Sequence, residues 1–260
     1  MENRKLFFLR HAERCDCLRP EWIHRGETYL KTAFDENGSY EPFDLNLPTS
    51  LPTRLDGWES YRWDPPLTEM GKYSARLTGK AFSNKKLVVN YIYTSPSFRC
   101  VETAQAFIDG YDESLKFRVE PGIFEWMEWF KTFKPNFIDP KELEILGYNA
   151  DSSVLPIMTV DELEYGEVAE NFYKRSERII NKLLKRHLDG NILFVVHGGN
   201  IVTCPAALLN EEKLNFEELN KKGSQYGYLS LTTINEDTNG TFSLGQRPIL
   251  PLTISPVISQ

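Results

Sequence analysis

The sequence predicts an α/β protein: a doubly wound, mainly parallel sheet with helices on both faces. Three observations carry that expectation. Strand-like and helix-like segments alternate along most of the chain. Leu6-Phe7-Phe8-Leu9 and the run from Asn191 to Val196 are almost wholly apolar, as strands covered on both faces must be. A long amphipathic segment, about Glu167 to Leu188, places Phe172, Ile179, Ile180, Leu183 and Leu184 on one face.

The remaining elements follow in order. After the first strand, about 15–63 is rich in Pro, Gly, Trp and Tyr and lacks periodicity, which marks an irregular insertion. Thr68 opens a helix running through Tyr73, Leu77 and Ala81. Tyr91 to Thr94 reads as a second strand, and Ser97 caps a helix carrying Val101, Ala104 and Phe107. Arg118-Val119-Glu120 is a short third strand. A second irregular insertion, around 124–160, holds the aromatic stretch Phe124 to Phe137 and a helix opened by Asp139-Pro140. Beyond the 191–196 strand a helix follows Gly199. Tyr228–Ile234 and Thr241–Leu244 form a hairpin turning at Asn239-Gly240. No repeat or flexible linker divides the chain, so a single domain over 1–260 is expected.

Composition excludes several functions. A net charge of −7 argues against a general nucleic-acid binder, so any anion site needs local arginine. No apolar run approaches the roughly 20 residues that span a bilayer. The start, Met1-Glu2-Asn3-Arg4-Lys5, leads into too short an apolar stretch for a signal peptide, so a cytoplasmic location without membrane association is expected. Cys15, Cys17, Cys100 and Cys204 show neither C-x-x-C nor zinc-like spacing and read as reduced thiols. Cys15 follows Arg14, which would set an oxidation-sensitive thiol beside a cationic pocket. With no metal-ligand cluster in view, neither metal nor other cofactor is expected.

Ligands in such sheets bind beyond the carboxyl ends of the strands, where Arg10-His11, Ser95-Pro96 and His197 all fall. An arginine fork suits phosphate oxygens, and an imidazole can attack phosphorus once a neighbour fixes its tautomer. His11 is the candidate nucleophile. His197 precedes Gly198-Gly199 and a helix N-terminus, and is expected to donate to a phosphoryl oxygen. Arg99, in the first turn of its helix, reaches back over the strand ends. Arg10, Arg99 and His197 then hold the peripheral oxygens, with Arg14 adding a contact. Glu125, flanked by Phe124 and Trp126, is expected to have its pKa raised by partial burial, to protonate the leaving oxygen and then to activate water. Glu120 and Glu128 are its competitors. Trp126, Trp129, Phe130 and Phe133 either line a slot for an aromatic or steroid leaving group or pack as a cap. Arg54 is expected at the entrance, and His24 and His187 at the surface.

These residues resemble the histidine phosphatase superfamily, also called phosphoglycerate mutase-like. The likeness is closer to the phosphatase domain of the suppressor-of-T-cell-receptor-signalling (UBA and SH3 domain-containing) proteins. It is carried by Leu45–Pro48, Leu51–Arg54, Asp64–Gly71, Ser95–Ala104, Glu120–Trp126 and Pro248–Thr253. The resemblance implies a phosphoglycerate mutase-like fold and a metal-independent phosphomonoester hydrolase, without cofactor, that passes through a phosphohistidine. Its catalytic set falls on Arg10, His11, Arg14, Arg99, Glu125 and His197. Relatives include protein tyrosine phosphatases and an insect steroid-phosphate phosphatase. The implied partner is thus a phosphoprotein or a small aryl or steroid phosphate, and a homodimer is implied too. Ala12 stands where the family usually has glycine, and the chain has no room for UBA and SH3 modules. Two alternatives remain. One is a mutase, although Glu13-Arg14-Cys15 replaces the Glu-Ser/Thr-x-Trp-Asn pattern expected there. The other is a non-catalytic phosphate-binding signalling module.

Overall fold

A computed structural model describes residues 4–23, 32–35 and 37–252. Six strands form one sheet in the order β3-β2-β4-β1-β5-β6. They are β1 (Arg4–Arg10), β2 (Tyr91–Thr94), β3 (Phe117–Val119), β4 (Ile192–Val196), β5 (Leu231–Glu236) and β6 (Phe242–Leu244). Strands β1 to β4 run parallel, and β5 and β6 add an antiparallel edge. The sheet is therefore mainly parallel, as the apolar runs require.

Alternation along the central strands explains why they are apolar throughout. Phe7 and Leu9 of β1, with Leu193 and Val195 of β4, pack on one face against Phe82, Val101, Ala104 and Phe107. Leu6, Phe8, Ile192, Phe194 and Val196 face the other way, onto Ile179, Ile180, Leu183 and Ile201. The first face is covered by α2 (Glu69–Asn84) and α3 (Phe98–Tyr111), the second by α5 (Ala169–Arg186) and α6 (Gly198–Leu209). Neither face of the sheet's centre meets water, so each inward side chain contributes about 1.5–3 kcal/mol of burial.

Expected and observed elements differ in instructive places. Helix α2 does start at Thr68, whose hydroxyl accepts from Gly71 N at 2.9 Å. Its buried face, however, is the small-residue stripe Gly71, Ser74, Ala75, Thr78 and Gly79, while Tyr73 is exposed. The reason is α3. A Cβ on Gly79 would lie 2.0 Å from Phe107 O, and one on Gly110 would lie 2.1 Å from Arg76 O, so the two helices meet backbone to backbone. Ser97 stands at the N-cap of α3 without a side-chain cap bond; the buried Asp64 carboxylate instead takes Phe98 N at 2.7 Å. The hairpin strand begins at Leu231 rather than Tyr228, which frees Tyr228 for the site described below.

The short helix α1 (Cys15–Leu18) and the helix α7 (Phe216–Gln225) lie outside the elements the sequence predicts. For α7 a signal did exist in Asn215 and Glu218, which form a capping box. Helix α4 (Pro140–Ile145) starts at Asp139, as its Asp-Pro pair predicts. No helix among the described residues is long and apolar enough to cross a membrane.

Candidate active site

Parallel register brings the histidines together. Arg10 of β1 is level with Val196 of β4, so His11 and His197 leave adjacent strands side by side, with ring centroids 5.3 Å apart. His11 N donates to Val196 O at 2.9 Å, which extends the ladder one residue past the strand end. Both rings are buried, at 2% and 3% exposure. Nδ1 of His11 lies 2.8 Å from Ala12 O. A carbonyl only accepts, so Nδ1 carries the proton and the lone pair sits on Nε2. Ala12 N in turn donates to Thr103 Oγ1 at 3.0 Å, so an alanine serves here without a strained backbone.

Arg10, Arg14 and Arg99 surround these rings. Arg10 donates through Nη1 to Tyr226 O, and its Cζ lies 5.2 Å over the Tyr228 ring. Arg99, 1% exposed, pairs through Nη2 with Glu125 and also lies 3.1 Å from His197 Nδ1. Nε of Arg10 and Nε of Arg99 are buried with no hydrogen-bond partner among the described residues. Two orphaned charged donors in one pocket are costly unless an anion satisfies them. Burial, reinforced by Arg99 and the other cations, drives both His11 and His197 well below the ordinary histidine range, so both rings are neutral. At Arg14 burial works against the charge, but Asp16 grips the guanidinium through Nε and Nη2 and holds it protonated.

Glu125 reaches the same pocket from the loop after β3. Its carboxylate is 22% exposed and meets Arg99 rather than standing in an apolar niche. The loop is fixed from behind. Arg175 of α5 donates to the carbonyls of Gly122 (3.0 Å), Phe124 (2.8 Å) and Glu125 (3.1 Å) while its other edge binds Glu167. Asn200 of α6 adds a donor to Phe124 O at 3.3 Å. Neither competitor of Glu125 faces the cage. Glu120 is fully buried and accepts from Gly122, Ile157 and Met158 N–H groups, and Glu128 pairs with Lys131.

A cavity of about 390 Å³ opens beside Arg14 and Glu125, walled by Ile23, Arg62, Trp63, Trp129 and Phe130. Trp129 therefore lines a cavity bordered by Arg14 and Glu125. Trp126 does not. It is buried, stacks on Phe172 and donates its indole N–H to Glu167 O, so it is core. Arg54 is also misplaced by sequence reasoning: it is buried on Asp64, Asp56 and Asn136 O, beside a separate cavity of about 370 Å³. Trp63, Arg62 and Tyr228 carried no local motif and were missed, because they are brought in by tertiary packing. Tyr228 lies 5.7 Å from the His11 ring.

Other expectations need correction. Cys15 is buried, its thiol bonded to Leu67 O and pushed up by desolvation, so it is not the reactive thiol. Cys17 is the exposed one, near Tyr228. His187 is half-buried rather than at the surface, stacked on Tyr91 at 3.7 Å with Nε2 2.7 Å from Tyr93 Oη. His24 lies outside the described residues.

Comparisons with known proteins place this geometry. Residues 54–242 match the model of the histidine phosphatase superfamily (branch 1). An ecdysteroid-phosphate phosphatase of Drosophila melanogaster is 34% identical over 258 residues, 98% of this chain and 33% of that protein. The ubiquitin-associated and SH3 domain-containing protein B of Mus musculus is 34% identical over 263 residues, 98% of this chain and 40% of its own length. The chain thus spans between a third and two fifths of these two relatives. The crystal structure of the ecdysone phosphate phosphatase from Bombyx mori, in complex with tungstate, superposes with a TM-score of 0.83 at 30% identity, covering 98% of this chain and 96% of that one. A phosphoglycerate mutase from Bacillus anthracis, at TM-score 0.53 and 18% identity, shares the fold. With paired histidines at adjacent strand ends, an arginine cage and these likenesses, the chain belongs to the histidine phosphatase superfamily.

Proposed function

We propose that the protein hydrolyses phosphomonoesters through a phosphohistidine at His11, without a metal ion, and that its substrates carry an aryl or similarly bulky leaving group, phosphotyrosine among them. The observation that carries the reading is the locked tautomer: Nδ1–H is held on Ala12 O, which leaves the Nε2 lone pair inside the arginine cage. The relatives named as phosphatases support the same chemistry.

In this reading the phosphoryl group sits among Arg10, Arg14, Arg99 and His197, and the orphaned Nε donors of Arg10 and Arg99 find their acceptors. His11 Nε2 attacks phosphorus in line as the ester oxygen departs. Fixed guanidinium groups neutralise the charge that spreads over the peripheral oxygens, a role worth roughly 100- to 1000-fold per donor. The phosphate displaces Glu125 from Arg99; the freed carboxylate takes up a proton from solvent and passes it to the leaving oxygen as the P–O bond breaks. Once deprotonated, Glu125 takes a proton from the water that attacks the phosphohistidine. Trp63, Trp129 and Phe130 form an apolar approach suited to a flat leaving group, which favours aryl over small alkyl esters.

Rapid acid-free quenching of turnover with a labelled aryl phosphate tests the proposal. Label is expected on His11, stable to base and lost in acid, and absent from His11→Ala. A folded His11→Ala protein with full turnover rejects it.

A further inference from the structure

The ring of His197 is held at both nitrogens, and only one of the two partners belongs to the cage. Nδ1 lies 3.1 Å from Arg99 Nη2, and Nε2 lies 2.7 Å from the hydroxyl of Ser95. A guanidinium donates and never accepts, so Nδ1 carries no proton and Nε2–H is donated to Ser95 Oγ. His197 and His11 therefore hold opposite tautomers, Nε2–H and Nδ1–H. Ser95 is fully buried just past the end of β2, with Ser95 N bonded to Val195 O at 3.0 Å, so its hydroxyl is set by the sheet itself.

This assignment poses a chemical requirement. A ring that is to donate to a phosphoryl oxygen through Nδ1 must first gain a proton there. We infer that Ser95 is the positioning residue for this step: by accepting Nε2–H it keeps Nδ1 facing the cage and stabilises the imidazolium formed when Nδ1 takes the acidic proton of a bound phosphate monoester monoanion. The step balances as a neutral ring plus a monoanion giving an imidazolium plus a dianion, with the O–H bond broken and an N–H bond formed. The dianion then accepts from Nδ1–H while Arg99 turns to the phosphate. An imidazolium N–H to a hydroxyl is a charge-assisted bond, stronger than the one the neutral ring makes. The charged and titratable groups around this ring are Arg10, His11, Arg14, Arg99 and Cys100, with Glu125 held on the far partner Arg99, and Cys100 Sγ, 3.6 Å from Nε2, is too poor an acceptor to replace the hydroxyl.

The inference rests on the phosphatase reading for its catalytic half and on geometry alone for its tautomer half, and the tests separate the two. Ring-nitrogen NMR on the free wild-type protein is expected to show neutral His197 protonated at Nε2; a ring protonated at Nδ1 overturns the inference whether or not any phosphoester is turned over. With an aryl phosphate, Ser95→Ala is expected to lower kcat/KM by about 10- to 100-fold, a cost of losing orientation. It should also move the alkaline limb of the pH profile to lower pH, because the imidazolium has lost its acceptor. Ser95→Thr, which keeps the hydroxyl, is expected to restore the limb. An unmoved limb in Ser95→Ala, or an alanine-like limb in Ser95→Thr, overturns it.

Discussion

Arg175 on α5 donates to the main-chain carbonyl of Glu125 at 3.1 Å, although the two side chains serve different parts of the molecule. The same guanidinium holds the carbonyls of Gly122 and Phe124 and a bidentate bond to Glu167. One buried fork thus fixes the loop that aims the candidate acid. A lysine has a point charge and no fork, so it cannot span these acceptors. Arg175→Lys should lower kcat on alkyl phosphates by roughly 10- to 100-fold through misplacement of Glu125. Arg175→Met, which strands Glu167, should cost about 3–5 kcal/mol in urea unfolding.

Replacing the acid itself gives a sharper pattern. Glu125→Gln should reduce turnover of esters with poor leaving groups by about 100- to 10,000-fold. For activated aryl phosphates the loss in the phosphorylation step should be far smaller. A plot of rate against leaving-group pKa checks this, and parallel lines for wild type and variant would remove Glu125 from the role.

Stability should fall as the solution turns acidic, and the two site histidines set the window. Both folded-state values lie below the ordinary one, first through burial and then through Arg99. The unfolded chain therefore binds protons that the native rings refuse. Their contribution is complete above about pH 6.5 and erodes below it, by up to about 1.4 kcal/mol per pH unit for each ring. Urea unfolding of wild type and His11→Gln at pH 7.5 and 5.5 measures it. The variant should lose less over that interval.

The approach to the cage should discriminate by shape. Trp129→Ala and Trp63→Ala each remove an aromatic wall near Arg14 and Glu125. KM for a bulky aryl phosphate should rise by roughly 5- to 30-fold, the equivalent of about 1–2 kcal/mol, while a small alkyl phosphate changes little. Trp126→Phe should alter stability instead, since its indole bonds to Glu167 O in the core.

Thiol chemistry should begin at Cys17. It is exposed, whereas Cys15, Cys100 and Cys204 are buried. Brief iodoacetamide treatment followed by mass spectrometry should label Cys17 ahead of the other three.

The central architecture was legible because its causes are local. The runs 6–9 and 192–196 are apolar on both faces, and α5 repeats its apolar residues at helical spacing. His11, His197, Arg10 and Arg99 could be placed together because each stands at a strand end or in the helix turn just beyond one. Trp126 and Trp129 show where this reasoning stops. Three residues apart in an irregular segment, they go one to the core and one to the cavity wall, and no period distinguishes them. Arg54 failed for a related reason: its partners Asp64 and Asn136 lie 10 and 82 residues away. Tyr228 and Trp63 owe their places to the same kind of long-range packing.

The seam between α2 and α3 has a consequence for tolerance to change. At Gly79 and Gly110 the helices touch through main chain alone, with no flexible side chain between them to absorb a shift. A single added methyl at either glycine must therefore wedge the whole of α3 outward, and α3 carries Arg99 at its opposite end. Two inconspicuous glycines inside this seam thereby act as a hinge pin for the phosphate grip, and even alanine, the mildest of replacements, is a lever long enough to loosen it.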